Sequence, residues 1–184
     1  MKYLKLFENF EDIHEICDKY DIVYYTINSD GSIDVDGNVS LSQMELTKLP
    51  LKFNHVSGNF NCSSNKLTTL VGSPKSVGGD FSCFRNNLTT LEFSPKSVSG
   101  NFYCSSNNIL SFEGAPNHVG GGFYCGYNPI FNIWKLFRDY SKVELLNDLD
   151  PIRDGDILMD RLNTFLSMIG LDEVECVEGY NCIN

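Results

Sequence analysis

Four of the seven cysteines, Cys62, Cys83, Cys104 and Cys125, recur at a constant interval of 21 residues. Thiols in that number raise zinc, disulfide and nucleophile chemistry, and their spacing decides among these. One sulfur per repeat places the four in a row, which cannot wrap tetrahedrally around a single zinc ion, and the chain holds no C-x-x-C pair. Side chains projecting in parallel also fit the disulfide dihedral poorly. The row therefore reads as buried small hydrophobes. Cys17, Cys176 and Cys182 stand outside it without a reactive signature, so all seven cysteines are expected as thiols.

Catalysis needs a positioned base, and the chain offers His14, His55 and His118. His55 and His118 occupy the same repeat position three repeats apart, a separation of ~15 Å at the spacing of paired strands, so they cannot act together. They read as surface substitutions for Ser76 and Ser97. The acidic pairs Asp148/Asp150 and Asp154/Asp156 fall where turns and helix caps need them. Asp30-Gly31 and Asp34-x-Asp36-Gly37 suggest calcium loops, but an EF-hand register puts Gly37 or Gln43 where the bidentate Glu belongs, so both read as turns. Gly120-Gly121-Gly122 belongs to a repeat and opens no helix, so it is no phosphate cradle. No catalytic residue, metal site or cofactor is expected.

The same 21-residue step carries Phe60 to Phe81, Phe102 and Phe123, and Asn65 to Asn86, Asn107 and Asn128. It also carries Leu67 to Leu88, Ile109 and Ile130, and Gly58 to Gly79, Gly100 and Gly121. A degenerate first unit starts near Val35, with Met44 in the Asn position. In the consensus V-x-G-x-F-x-C-x-x-N-x-L-x-x-L-x-x-x-P, the F-x-C segment alternates as a short strand does, Phe and Cys inward. Asn at the following bend can satisfy backbone groups that turn inward, and Gly permits a positive φ or close contact between units. Pro74, Pro95 and Pro116 suit an extended return path.

This wording resembles the leucine-rich repeat pattern L-x-L-x-x-N-x-L over residues 35–133, and its short Pro-bearing unit resembles the bacterial type. The segments Pro74–Phe81 and Pro95–Phe102 and the opening Met1-Lys-Tyr-Leu-Lys-Leu-Phe-Glu are similar to small tailed-phage proteins. The resemblance implies an α+β repeat solenoid, with one leucine-rich-repeat-like parallel sheet of about five coils. It also implies a protein-binding module, phage-encoded or effector-like, in the bacterial cytoplasm. The bacterial family includes ubiquitin-ligase effectors, but about 50 residues after the repeats leave no room for that domain.

A stacked array exposes an apolar cross-section at each end, so caps are expected at 1–34 and 134–184. Phe10, Ile13, Ile16, Cys17 and Tyr20 share a helical face after Asn9, and Ile22–Ile27 reads as a strand that Asp30-Gly31 turns toward Ile33. Beyond the repeats, Ile133, Trp134, Leu136, Phe137 and Tyr140 form one helix face. Ile157, Leu158, Leu162, Phe165, Leu166 and Ile169 form a second, with a last strand at Val174–Val177.

The net charge of -10 argues against nucleic acid or anionic membrane as partner, and no apolar run approaches the ~18 residues of a membrane span. Residues 1–45 hold three basic and ten acidic groups, 46–133 six and three, and 134–184 five and eleven. The ends are acidic and the middle is not. Among outward repeat positions, most are small and polar, and five depart: Phe84, Arg85, Tyr103, Tyr124 and Tyr127. Aromatics with Arg are the residues of protein-binding hot spots, so these five are the expected binding patch, unless the C-terminal cap packs on them. A structural or virion-assembly protein that self-associates is the alternative. An enzyme for a small ligand lacks any pocket signature.

Overall fold

The computed structural model describes residues 12–153 and 155–184; the expected helix start at Asn9 and Phe10, and Asp154, lie outside these. The chain is a mixed α/β protein with parallel sheets. Helix α1 (12–19) buries Ile13 and Cys17, one turn apart, and the hairpin of β1 (Tyr25–Ile27) and β2 (Ile33–Val35) follows. The strand expected from Ile22 begins only at Tyr25, because Tyr24 takes a left-handed φ of 53° and leaves its ring exposed. Asp30 closes the hairpin. Its carboxylate accepts from Ser32 N and Oγ and pairs with Lys52 at 2.7 Å, which holds its pKa below the usual carboxylate range.

From Val35 onward each 21-residue unit contributes two very short strands, so the expected single sheet is accompanied by a second. One sheet joins β2 to β4 (Phe53–Val56), β6 (Ser76–Val77), β8 (Ser97–Val98) and β10 (His118–Val119), all parallel. The other joins β3 (Val39–Ser40), β5 (Phe60–Asn61), β7 (Phe81–Ser82), β9 (Phe102–Tyr103) and β11 (Phe123–Tyr124). Register is uniform: Phe60, Phe81, Phe102 and Phe123 pair in turn, as do Val56, Val77, Val98 and Val119. A one-residue slip would turn every inward side chain to solvent, so the apolar ladder itself fixes the pairing.

The Phe rings stack at 5.6, 5.2 and 5.4 Å, nearly parallel, and the Leu67 and Leu88 side chains are fully buried. Each such side chain contributes roughly 1.5–3 kcal/mol of burial. Gly58, Gly79, Gly100 and Gly121 stand at the corner between the sheets without positive φ; close contact is their reason. A Cβ on Gly79 would lie 2.2 Å from Asn59 Oδ1.

After the last unit come α2 (Phe131–Phe137), a 3-10 turn (Tyr140–Lys142), α3 (Val143–Leu149), β12 (Ile152–Arg153), β13 (Asp156–Leu158), α4 (Met159–Met168) and β14 (Asn181–Ile183). Three expectations are corrected here. Ile157 and Leu158 lie in β13, not on a helix, because Gly155 at φ 86° turns the chain into a β12–β13 hairpin and α4 starts only at Met159. Val174–Val177 is irregular, and the last strand is β14, parallel to β13. Cys176 and Cys182 form a disulfide, Cα atoms 5.6 Å apart, which leaves five free cysteines instead of seven. Tyr180 Oη donating to Leu110 O at 2.7 Å and Asn132 Nδ2 donating to Glu178 O at 2.9 Å tie this last loop back to the repeats. No helix among the described residues is long and apolar enough to cross a membrane.

Candidate protein-binding face

The bend after each F-x-C segment is what presents the outward residues. Asn86 Nδ2 donates to Cys62 O and Cys83 O at 3.1 and 3.0 Å, and its Oδ1 accepts from Leu67 N at 3.0 Å. Asn107 and Asn128 repeat the pattern one rung on, and Asn65 caps Met44 N and Leu46 N of the degenerate first unit. With its polar groups satisfied, the bend accepts a left-handed residue on every rung: Gln43, Ser64, Arg85, Ser106 and Tyr127 all have φ between 54° and 60°. That conformation costs roughly 1–2 kcal/mol per non-Gly residue. Rung-to-rung bonds, such as Arg85 N to Ser105 O at 3.0 Å, offset it.

A second ladder was missed in the sequence although it follows the same step. Asn38, Asn59, Asp80 and Asn101 each accept, through Oδ1, the backbone N–H of the same position one rung on, at 2.7–2.8 Å. Their side chains occupy the space that the corner glycines leave open.

On the outward row of the β3–β11 sheet, Tyr103 and Tyr124 stack at 4.8 Å with 9° between ring planes. Tyr124 is 49% exposed and Phe84 36%, so the C-terminal segment does not cover them. Tyr103 is half-buried, and Phe84 and Tyr103 line one open groove of about 320 Å³, with Asn61, Asp80 and Ser82 between and beside them. Partial desolvation, the Asp80 charge and the stacked Tyr124 hold the Tyr103 phenol above its ordinary pKa.

Of the five expected patch residues, Phe84, Tyr103 and Tyr124 are thus brought together. Arg85 and Tyr127 stand instead on the left-handed bend beside the sheet, exposed, two rungs apart. Ser63, which holds the repeat position of Phe84 one rung earlier, is buried, its Oγ donating to Asn61 Oδ1.

The histidines are dispersed. His14 Nδ1 meets Tyr25 Oη, His55 Nδ1 meets Ser76 Oγ at 2.7 Å, and His118 lines a separate cleft with Glu144 and Asp148. Among the described residues no group of three His, Cys, Asp or Glu side chains could hold a metal ion. The four ladder thiols are buried, and desolvation pushes Cys62 and Cys125 up to about 12 and Cys83 and Cys104 well above the ordinary value, the opposite of a nucleophile. Compared with family models, curated proteins and solved structures, the chain matches none.

Proposed function

We propose that this chain is a non-enzymatic protein-binding module, a short leucine-rich-repeat-type solenoid of about five coils with caps at 1–34 and 134–184. In this reading it works in the bacterial cytoplasm, as a phage-type host-interaction protein, and meets its partner through the outward face of the β3–β11 sheet. The observation that carries the reading is the stacked Tyr103–Tyr124 pair beside exposed Phe84. The same rows hold Ser40, Asn61 and Ser82 on other rungs, so the fold does not require rings there. Exposed aromatic side chains with few rotors lose little entropy on binding and bury much area, as hot-spot residues do.

The test is panning of the immobilised protein against a ribosome-displayed random peptide library. Enriched peptides are expected to bind the wild-type protein and to lose at least about tenfold in affinity against Tyr103→Ala/Tyr124→Ala, the loss of one hot-spot contact. Ser40→Ala is expected to leave them unchanged. Absence of any enriched peptide, or equal binding to the double variant, overturns the reading.

A further inference from the structure

Asp80 departs from its own ladder. Asn38, Asn59 and Asn101 perform the same backbone capping with a neutral amide, so the fold has no use for a charge at this rung. Asp80 Oδ1 accepts from Asn101 N at 2.7 Å and Asn101 Nδ2 at 3.1 Å, while Oδ2 has no partner among the described residues. Two further departures adjoin it, because Phe84 and Tyr103 line the groove that Asp80 borders. Tyr103 is covered on one ring face by Tyr124. Its other face looks toward Ser82, its strand partner on the preceding rung, where no ring stands. The groove is therefore a vacant place in an aromatic stack, one rung of about 4.8 Å deep, with a half-used carboxylate at its side.

A flat group that also carries positive charge meets both conditions. An anionic ligand is repelled by Asp80, which lines the groove. A neutral aromatic ring would cover the carboxylate without neutralising it. A lysine ammonium offers no plane to stack and is more strongly hydrated. A guanidinium stacks on aromatic faces and donates in a fixed fork to a carboxylate. Ser82, whose hydroxyl can accept, borders the same space.

We propose that this groove seats an arginine side chain of a basic partner, its guanidinium stacked on the free face of Tyr103 and paired with Asp80. This rests on the reading of the face as a protein-binding surface, and its test separates the two. N-acetylarginine methylamide is titrated into isotope-labelled protein while amide resonances are followed. Saturable shifts are expected at Asp80, Ser82 and Tyr103. Asp80→Asn, which keeps the capping oxygen that the ladder uses elsewhere, is expected to weaken binding about tenfold, the scale of one charged hydrogen bond.

The lysine analogue is expected to bind far more weakly. An equal response to the lysine analogue, an unchanged affinity in Asp80→Asn, or shifts caused instead by methyl β-glucoside or N-acetyltyrosine methylamide would overturn the arginine seat. Enriched library peptides that need Tyr103 yet share no arginine also overturn it, and leave the protein-binding reading standing. An Asp80-dependent response to the arginine probe without any enriched peptide supports the seat and removes the broader reading.

Discussion

Asn86 bonds three backbone groups in the interior with one amide, and truncation leaves Leu67 N without its acceptor while Cys62 O keeps Asn65 Nδ2 and Cys83 O keeps Asn107 Nδ2. A buried group that loses its bond costs roughly 1–3 kcal/mol. Asn117 is exposed and contributes only its backbone N–H, donated to Lys96 O. Asn86→Ala is therefore expected to lower the urea midpoint markedly and Asn117→Ala to leave it almost unchanged, and equal midpoints would contradict the interior register.

The ladder thiols add a dependence on pH whose sign is fixed by burial. A thiol with a raised folded pKa keeps its proton where the unfolded chain has lost it, so stability is full below pH 9 and falls as pH rises, for Cys62 and Cys125 until about 12. Each fully shifted thiol steepens the fall by ~1.4 kcal/mol per pH unit in that window. Urea midpoints that stay flat between pH 8 and 10.5 would refute the burial. The disulfide sets the thiol count: denatured without reductant, five cysteines are expected to react with a chromogenic disulfide reagent, and seven after reduction.

At the scale of the strand and its corner, glycine and asparagine ladders share one volume. Gly79→Ala places a methyl 2.2 Å from Asn59 Oδ1 and 3.0 Å from Gly58 C, so the amide must leave its bond to Asp80 N. Asn59→Ala removes the same bond directly. The two costs, each of roughly 1–3 kcal/mol, are expected to be less than additive in the double variant, as for residues in contact. Full additivity in denaturant titrations would show the corner glycine to be constrained by something else.

How far these elements were legible follows from their length and repetition. Phe60 through Phe123 could be paired from the 21-residue step alone, and the Asn bends follow from the need to satisfy an inward backbone. The second sheet could not be seen, because a two-residue strand such as Ser76–Val77 carries no alternation to detect. Beyond the repeats no periodicity repeats itself, so Ile157 and Leu158 fitted a helical spacing until Gly155 broke it. Asp80 was overlooked as a site residue because it lies one row away from the aromatic departures and caps the backbone as its asparagine neighbours do.

Across the whole molecule, one apolar core runs from Ile13 to Val177, and aromatic rings link its repeats to its C-terminal helices. Trp134, the only tryptophan, packs on Phe123 of the last rung at 5.2 Å and on Phe112 at 6.1 Å. It also touches Phe137 at 5.3 Å, and Phe137 meets Phe165 of α4 at 5.2 Å. The C-terminal helices thus reach the stack through a short chain of rings, reinforced by Tyr140 Oη donating to Pro116 O. With that chain intact, tryptophan fluorescence and far-ultraviolet circular dichroism are expected to report a single urea transition. Phe137→Ala removes the link between Trp134 and α4, at a cost toward the low end of the roughly 3–5 kcal/mol for aromatic truncation because the ring is only half-buried. In that variant the helical dichroism is expected to be lost ahead of the fluorescence of Trp134, which stays packed on Phe123 and Phe112, the sign of two units that open separately. Coincident transitions in Phe137→Ala would mean that the joining lies in the bonds that Tyr180 Oη and Asn132 Nδ2 donate to Leu110 O and Glu178 O, and not in the rings.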